Sequence, residues 1–405
     1  MKILHLSAAN ISTGAGIACV RLHEQLLKNG IDSKILFLDE KSIVNKNYLS
    51  KTNGFFSKSI RKLYTLLDNL LKYFYHYDKN KYFSAGYFGF NLNQLIKNED
   101  CDIIHLHWIN HGFVKTSSLN KTKKPIIWTM HDCWPFTGGC HHFYNCNNYL
   151  FNCGNCNILL SNNKYDLSYI MHNQKNKYYN KIKFVAISNW MLKAAKNSSL
   201  LQNRDVVKIV SGINTEIFKF ISKSEVEHFE LFDNLNKIVL IGAQSLNSHS
   251  KGIDFAVKAL NEFSNQPLNV VTFGNGILEL SNPLHNVINF GFINHPKKMA
   301  DLFAMADIFI STPLVESFGM AIAEAQCCGL PVITFSNTGP EEIVKHLNSG
   351  YIAKHSSTDD IINGINYCLT YNFNRRHISE NAINDFSIIS STKKYITEYN
   401  NLLIN

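Results

Sequence analysis

The most constraining feature of this sequence is an alternation of short apolar segments with longer amphipathic ones, repeated in both halves of the chain. Strands that alternate with helices form parallel sheets covered by helices on both faces. The sequence therefore predicts an α/β protein with two doubly wound, Rossmann-like domains. The predicted strands are Lys2–Ser7, Ser33–Leu38, Asp102–Leu106, Pro125–Met130, Lys183–Ile187, Lys237–Gly242, Leu268–Phe273, Asp307–Ser311 and Pro331–Phe335. The predicted helices are Gly14–Asn29, one that begins at Asn189 after a capping Ser188, Gly252–Phe263, Lys297–Ala306 and Phe318–Cys328.

The domain boundary is predicted in the polar stretch Gly212–Asp233, which holds no long apolar run. We expect an N-terminal domain over residues 1–215, with a cysteine-rich loop at 133–156, and a second domain over residues 216–378. Residues 379–405 have a helical pattern and are not followed by a strand. This C-terminal segment is expected to pack back on the first domain.

Composition limits where the protein works and what it binds. No stretch holds the roughly 18 apolar residues that a transmembrane helix needs, and the start of the chain fits a buried strand better than a signal peptide. We therefore expect a cytoplasmic protein whose ten cysteines are mostly thiols or metal ligands. The net charge of +9 fits a phosphorylated ligand, an anionic membrane surface or composition drift. No nucleic-acid motif is present, and no nucleic-acid partner is expected.

The most informative segment is ESFGMAIAEAQCCGLPVI, which begins at Glu316. A helix is predicted to open near Phe318, where Gly319 leaves the backbone N–H groups of residues 319–321 (Gly319, Met320 and Ala321) free to bind a diphosphate. Glu316 beside the helix start and Glu324 about two turns further on are suited to accept hydrogen bonds from sugar hydroxyls. The alternative is a pair of solvated acids, but the helix is apolar and a buried Glu needs a partner.

Two glycine-containing turns add candidates for phosphate binding. Lys251, before Gly252, is placed to neutralise a leaving diphosphate, and the alternative is an ordinary surface lysine. The Gly14-Ala15-Gly16 loop follows the first strand and is either a ligand-binding loop or a tight turn. Cys19 stands where a dinucleotide fingerprint would have its third glycine.

Strand ends and cysteines in the first domain give further candidates. His131 follows the strand that ends at Met130, so we assign it to the site, although a lone histidine is often structural. The spacing of the cysteines that follow suggests a structural zinc, and free thiols or a disulfide remain open. These cysteines are Cys140, Cys146, Cys153 and Cys156. No cofactor is expected for catalysis.

A basic, aromatic-rich segment at residues 55–77 has leucines at helical spacing. Such a helix either lies on a membrane surface or packs against the core of the first domain. A polyprenyl-linked acceptor would make the membrane interpretation sensible.

The Glu316-x7-Glu324 spacing, followed by Gly329-Leu330-Pro331, resembles the EX7E motif of retaining family-4 glycosyltransferases of the GT-B fold. The HDCWPFTGGC segment that starts at His131 resembles a subgroup from bacterial polysaccharide (colanic-acid-type) synthesis. The resemblance implies two Rossmann-like domains facing a cleft, and sugar transfer from a nucleotide-sugar donor to a glycan or polyprenyl-linked acceptor. It places such an enzyme in cell-surface polysaccharide or lipopolysaccharide synthesis, in the cytoplasm or at the cytoplasmic face of the inner membrane.

The resemblance also implies roles for individual residues. Glu324 would hold the ribose hydroxyls, Glu316 the donor sugar, and residues 319–321 the sugar and phosphates. His131 would contact the donor sugar, and the Gly14–Gly16 loop would lie near the phosphates and the acceptor. The family usually has an arginine shortly before Lys251, and this sequence has none between Ala243 and Ser250. His249 or a residue from elsewhere would have to replace it.

Two alternatives remain at this point. An NAD(P)-dependent oxidoreductase would use Asp39 to hold a ribose. However, this sequence lacks the third glycine of the dinucleotide fingerprint, and an oxidoreductase would leave the Glu316/Glu324 pair unexplained. The other alternative is a non-catalytic component of a polysaccharide assembly complex, against which the intact residues Glu316, Glu324, Lys251 and His131 argue.

Overall fold

The structure is a computed structural model that describes residues 1–38, 47–50, 55–226 and 236–404. The chain divides into two compact units. Unit 1 comprises Met1–Val210 and Thr392–Asn405, and unit 2 comprises Ser211–Ser391. The predicted boundary at residues 215/216 lies near this division. Residues 379–391, which we placed in the C-terminal segment, belong to unit 2.

Unit 1 contains a seven-stranded sheet in the order β3-β2-β1-β4-β5-β6-β7, with every pairing parallel. Strand β1 pairs on one side with β2, where Ile3 lies opposite Ser33, and on the other with β4, where Ile3 lies opposite Ile103. All residues of β4 and β5 are buried, as expected of a sheet covered on both faces. The strands are β1 Lys2–Ser7, β2 Asp32–Phe37, β3 Tyr48–Ser50, β4 Ile103–Leu106, β5 Ile126–Met130, β6 Ile182–Ala186 and β7 Val206–Lys208.

The helices of unit 1 begin and end with the predicted local signals. Ser188 caps its helix by accepting a hydrogen bond from the Met191 N–H at 3.0 Å, which confirms the predicted cap. The first helix ends at Lys28, and Gly30 follows with φ of 73°, a left-handed conformation that favours glycine. The helices are α1 Gly14–Lys28, α2 Phe55–Tyr73, α3 Leu92–Leu95, α4 Leu167–Tyr178 and α5 Asn189–Asn197.

Unit 2 contains a six-stranded parallel sheet in the order β10-β9-β8-β11-β12-β13. Helices α6 and α9 pack against one face of this sheet through core residues such as Ile253, Leu260 and Ile365. The strands are β8 Lys237–Ser245, β9 Leu268–Asn275, β10 Asn286–Asn289, β11 Ile308–Ile310, β12 Val332–Phe335 and β13 Gly350–Ala353. The helices are α6 Ile253–Glu262, α7 Pro296–Met305, α8 Met320–Cys327, α9 Thr358–Thr370 and α10 Arg375–Phe386, and the last helix, α11 Ile388–Ile404, begins in unit 2 and continues in unit 1.

The C-terminal segment forms two helices rather than one. The helical conformation is interrupted at Ser387, between α10 and α11, because Ile213 pairs with this segment. The Ile213 N–H donates to the Phe386 carbonyl at 2.8 Å, and the Ile213 carbonyl accepts from the Ile388 N–H at 2.9 Å. Beyond Ser391, α11 belongs to unit 1, where Tyr395 and Tyr399 enter the core beside Ile3. The α/β class with two doubly wound domains and a C-terminal helix returning to the first is therefore confirmed. Within the described ranges, no helix is both long and apolar enough to cross a membrane.

Candidate functional site

At the carboxyl end of the unit 2 sheet, two loops are fastened to each other. Gly252 has φ of 63°, and a Cβ there would lie 1.9 Å from the Thr312 carbonyl oxygen, so only glycine fits. The Leu314 N–H donates to the Ser250 carbonyl at 2.9 Å, and the Thr312 hydroxyl donates to the Gly252 carbonyl at 3.2 Å. The turn before α6 is therefore held against the loop that follows β11.

This attachment brings two of the predicted site residues into contact. Lys251 Nζ lies 2.6 Å from Glu316 Oε2, although the two residues are 65 positions apart in sequence. The other carboxylate oxygen of Glu316 accepts from the Ser317 N–H at 3.1 Å. Both side chains are partly exposed, at 36% for Lys251 and 23% for Glu316, so the pair remains accessible to a ligand.

Next to this pair, helix α8 begins as the sequence predicted, with Gly319 as its N-cap at φ of 98°. The structure starts the helix at Met320, two residues after the predicted Phe318. The N–H groups of Met320 and Ala321 lie in the first turn, and neither has a backbone acceptor among the described residues. The positive end of the helix dipole and two free donors therefore lie in the same loop as Glu316.

Glu324 and Ser317 are two buried polar residues of this segment. Glu324 lies on α8 and is only 8% exposed, as the apolar sequence around it predicted. Ser317 is 2% exposed, and its hydroxyl has no hydrogen-bond partner in the part of the chain that the structure describes. Sequence reasoning passed over Ser317, because a serine beside a Phe-Gly turn carries no distinctive pattern.

In unit 1, His131 follows β5 at the carboxyl edge of the sheet, as predicted. Its Nε2 lies 2.9 Å from Nδ1 of His107, which follows β4. Burial lowers the pKa of His131 to about 4, against the opposing influence of Asp132, so the ring is neutral near pH 7.

Asp132 anchors the WPFTGGC loop that follows it. Its carboxylate accepts from Trp108 Nε1 at 2.8 Å and from the Trp134 N–H at 2.8 Å, and it contacts His141 Nδ1 at 2.6 Å. Burial opposes ionisation, but the charge and hydrogen bond of His141 prevail and lower the pKa of Asp132 to about 2. Lys175 supports the same loop from below, donating to the carbonyls of Trp134 and Thr137.

The structure places two of the four predicted zinc ligands in one small core, and it does not gather the four thiols into a set of metal ligands. Cys140 and Cys156 are buried in the same cluster, and the hydrogen bond from Cys140 lowers the pKa of Cys156. Cys146 and Cys153 are half-buried. Over the described ranges, the groups of potential ligands within 4.8 Å of one another comprise His5, His105 and His107, and no cysteine. Zinc at these cysteines stays a prediction.

The remaining predicted positions have simpler surroundings. A Cβ on Gly16 would lie 2.0 Å from the Asn10 carbonyl oxygen, so close backbone packing accounts for this glycine, whereas Gly14 is exposed. His249 is 79% exposed beside Asp254. Asp39 lies outside the described residues.

The sequence also contains an Asp-x-Asp pair, Asp100-Cys101-Asp102, which lies before β4 at the amino edge of its sheet. There it faces Lys2, on the edge opposite to His131.

Sequence reasoning missed the histidines behind His131. His5 lies in β1 and His105 in β4, both in otherwise apolar strands, and both are fully buried. A histidine inside a buried strand needs a partner, so these two positions, with His107 just after β4, carried a signal that could have been used.

Each unit contains a parallel, doubly wound sheet, and the sheet of unit 2 carries a lysine, a carboxylate and a helix that begins at a glycine along its carboxyl edge. This arrangement defines the GT-B class of glycosyltransferase fold. Solved structures share this fold. A sucrose-phosphate synthase from Thermosynechococcus elongatus has a TM-score of 0.72 at 14% identity, covering 100% of this chain and 99% of that one. Anabaena HepE in complex with UDP and glucose has a TM-score of 0.65 at 15% identity, covering 99% and 100%.

The chain belongs to glycosyltransferase family 4, whose model matches residues 12–217. The model described as glycosyl transferases group 1 matches residues 223–385. Among relatives, sucrose-phosphate synthase 4 of Arabidopsis thaliana is 30% identical over 175 residues, which span 36% of this chain and 16% of the plant enzyme. The chain therefore matches well under two thirds of the length of that relative.

Proposed function

We propose that this protein is a retaining glycosyltransferase that moves a sugar from a nucleotide-sugar donor to a glycan or polyprenyl-linked acceptor in cell-surface polysaccharide synthesis. The observation that carries the proposal is the contact between Lys251 and Glu316 beside the open N-terminus of α8. A cation, two free N–H groups and a carboxylate in one loop cluster match the two parts of such a donor. The diphosphate is anionic, and the sugar presents hydroxyls.

The donor is proposed to bind unit 2 as follows. Its diphosphate lies on the Met320 and Ala321 N–H groups, and Lys251 neutralises the charge that develops as the bond to the sugar breaks. Glu316 accepts hydrogen bonds from the sugar, and Glu324 accepts them from the ribose. Anabaena HepE was solved with UDP-glucose, which favours a UDP-sugar as the first donor to test.

Retention of configuration is proposed from the resemblance to the EX7E motif of retaining enzymes. The assigned carboxylates bind hydroxyls, so we propose transfer at one face of the sugar, a route that needs no covalent nucleophile. The acceptor hydroxyl attacks from the face that the nucleotide leaves, and the departing diphosphate takes the hydroxyl proton. The pKa of His131, about 4, leaves its ring neutral near pH 7. His131 therefore binds the donor sugar by hydrogen bonding instead of acting as a general acid.

A thermal-shift screen against UDP-, GDP- and ADP-sugars tests donor binding, because a ligand of the folded state raises the unfolding midpoint. The variant Glu324→Gln removes the proposed ribose acceptor and keeps the shape of the side chain. Loss of charged hydrogen bonds to the ribose should weaken binding by on the order of 10²-fold. Glu279→Gln, at an exposed position on the same unit, serves as the control. Equal binding and turnover by wild type and Glu324→Gln would contradict the assignment.

Product analysis tests the rest of the proposal. With an α-linked donor, the NMR coupling of the new anomeric proton should report an α-linked product. A β-linked product would contradict retention. The family match favours the transferase over both alternatives considered above, and no change in cofactor absorbance or fluorescence is expected on addition of NAD.

Contact with an anionic membrane surface is proposed for α2. Its inward face carries Asp68 and Leu71, whereas an outward face carries the exposed side chains Leu63, Leu66 and Leu70. Leu66 is 54% exposed, and the exposed Lys62 lies beside it. An exposed apolar stripe with adjacent lysines suits the headgroup region of a bilayer, where a polyprenyl-linked acceptor would be presented.

A further inference from the structure

A line of hydrogen-bonded histidine rings runs through the interior of unit 1 behind His131. His131 Nε2 lies 2.9 Å from His107 Nδ1, and His107 Nε2 lies 3.0 Å from His5 Nδ1. His107 is 3% exposed and His5 is 0% exposed. The line ends at His5 Nε2, which is buried and has no partner in the described part of the chain. We call His5, His107 and His131 the histidine relay.

The rings of the relay are neutral. Burial lowers the pKa of His5 and of His107 well below the ordinary value, and neighbouring histidines add to the shift. A neutral imidazole carries one N–H, so each ring donates through one nitrogen and accepts through the other. With two hydrogen bonds among three rings, only two proton arrangements satisfy both bonds.

The two arrangements differ at both ends of the relay. In the first, every donor points inward, and the relay ends in a buried N–H at His5 Nε2 without an acceptor. In the second, every donor points outward, and His5 Nε2 is an unpaired acceptor. Orphaned buried N–H groups are the rarer defect in folded proteins, so the second arrangement is the more stable.

We propose that His5 and His107 are positioning residues that fix the tautomer of His131, with its proton on Nδ1. The relay then occupies His131 Nε2 as an acceptor. The half-buried ring presents an Nδ1–H donor to its ligand. Such a donor binds a sugar oxygen or a developing negative charge, and it cannot act as a base. This inference rests on the proposed function for the identity of the ligand, but the tautomer is a property of the protein alone.

A metal site is the competing explanation, because nitrogens of His5, His105 and His107 lie within 4.8 Å of one another. However, the nitrogens of His105 already bond the hydroxyls of Tyr399 at 2.7 Å and Thr129 at 2.8 Å. Both nitrogens of His107 are already hydrogen-bonded, one to His131 and the other to His5. The rings of His105 and His107 also stack at 4.2 Å instead of converging on one point. A cation there would have to break these hydrogen bonds without a carboxylate to balance its charge.

The direct test is ¹⁵N NMR of the full chain with labelled histidine, since protonated and bare ring nitrogens have separate shifts. His131→Asn identifies the His131 signals by their loss. Wild type should show His131 with Nδ1 protonated and Nε2 bare. A proton on Nε2 in wild type would overturn the proposal whatever the enzymatic activity. Loss of His131 without any effect on turnover would instead contradict the proposed function and leave the NMR test intact.

Kinetics of matched variants separate the relay from general packing. His107→Phe keeps a ring but removes both nitrogens, and it should lower kcat at least 10-fold with KM for the donor changed less. His107→Asn restores a donor near the Nδ1 position and should recover much of that loss. Combining His107→Phe with His131→Asn should cost little more than His131→Asn alone.

Control variants complete the design. His172→Phe alters a buried, hydrogen-bonded histidine of unit 1 outside the relay and should leave kcat near that of wild type. Equal losses in His172→Phe and His107→Phe would show a folding effect and refute the proposal. So would a stoichiometric bound metal that His5→Phe and His105→Phe both release.

Discussion

Replacing Gly252 by alanine should damage unit 2 far more than replacing Gly291, although both glycines have left-handed φ values, 63° and 69°. A Cβ at residue 291 meets nothing within 4 Å, so Gly291→Ala costs only the left-handed backbone penalty of about 1 kcal/mol. A Cβ at residue 252 would lie 1.9 Å from the Thr312 carbonyl oxygen, so the two loops must separate by more than ~1 Å. That movement breaks the Leu314–Ser250 and Thr312–Gly252 hydrogen bonds, each contributing about 1 kcal/mol.

We therefore expect Gly252→Ala to lower the free energy of unfolding of unit 2 by about 3 kcal/mol, roughly 2 kcal/mol more than Gly291→Ala. The same shift pulls Lys251 from Glu316, so sugar transfer should fall with it. Because the four tryptophans all lie in unit 1, their fluorescence reports that unit, and unit 2 needs hydrogen–deuterium exchange of β8 and β11 peptides across a urea series. A difference of 2 kcal/mol corresponds to about 1 M urea. Equal midpoints for the two variants would refute the packing argument.

Four further predictions concern the site, pH, membrane and cysteines. Lys251→Met should lower kcat on the order of 10²-fold by removing the charge that stabilises the leaving diphosphate, whereas Lys258→Met on the same unit should not; steady-state kinetics decide. Burial lowers the pKa values of His23 and His172 to about 4, so below pH 6.5 these histidines are protonated in the unfolded chain but remain neutral in the folded one. The free energy of unfolding of unit 1 should fall by about 2 kcal/mol for each of these histidines between pH 7 and pH 5, measured by tryptophan fluorescence in urea. In the His172→Phe variant this fall should be smaller. Leu66→Glu with Leu70→Glu should abolish flotation with anionic vesicles, whereas Ile277→Glu, at another exposed apolar position, should not. If the cysteines hold zinc, metal analysis should find one equivalent that Cys140→Ser and Cys156→Ser both lose; an equal content in wild type and variants would rule it out.

The missed strands show where local pattern stops being informative. The inner strands of both sheets are mostly apolar and largely buried, because helices cover both faces, and the sequence predicted each of them. The strands that it missed, β3, β7, β10 and β13, are the edge strands of the two sheets. Edge strands are short and partly exposed: β10 has no buried residue. They therefore lack the apolar signal that reveals a central strand.

Sequence by itself determined the α/β class, the two doubly wound domains, the start of α8 to within two residues and the burial of Glu324, because periodicity, capping and apolar runs are local properties. Only the tertiary structure decided that Lys251 contacts Glu316, that Tyr395 and Tyr399 of α11 pack beside Ile3, and that His5 meets His107 from 102 positions away. These contacts depend on the order of strands in a sheet and on which loops share its carboxyl edge. Spacing along the chain carries no record of that order, since neighbouring strands such as β1 and β4 are separated by whole elements.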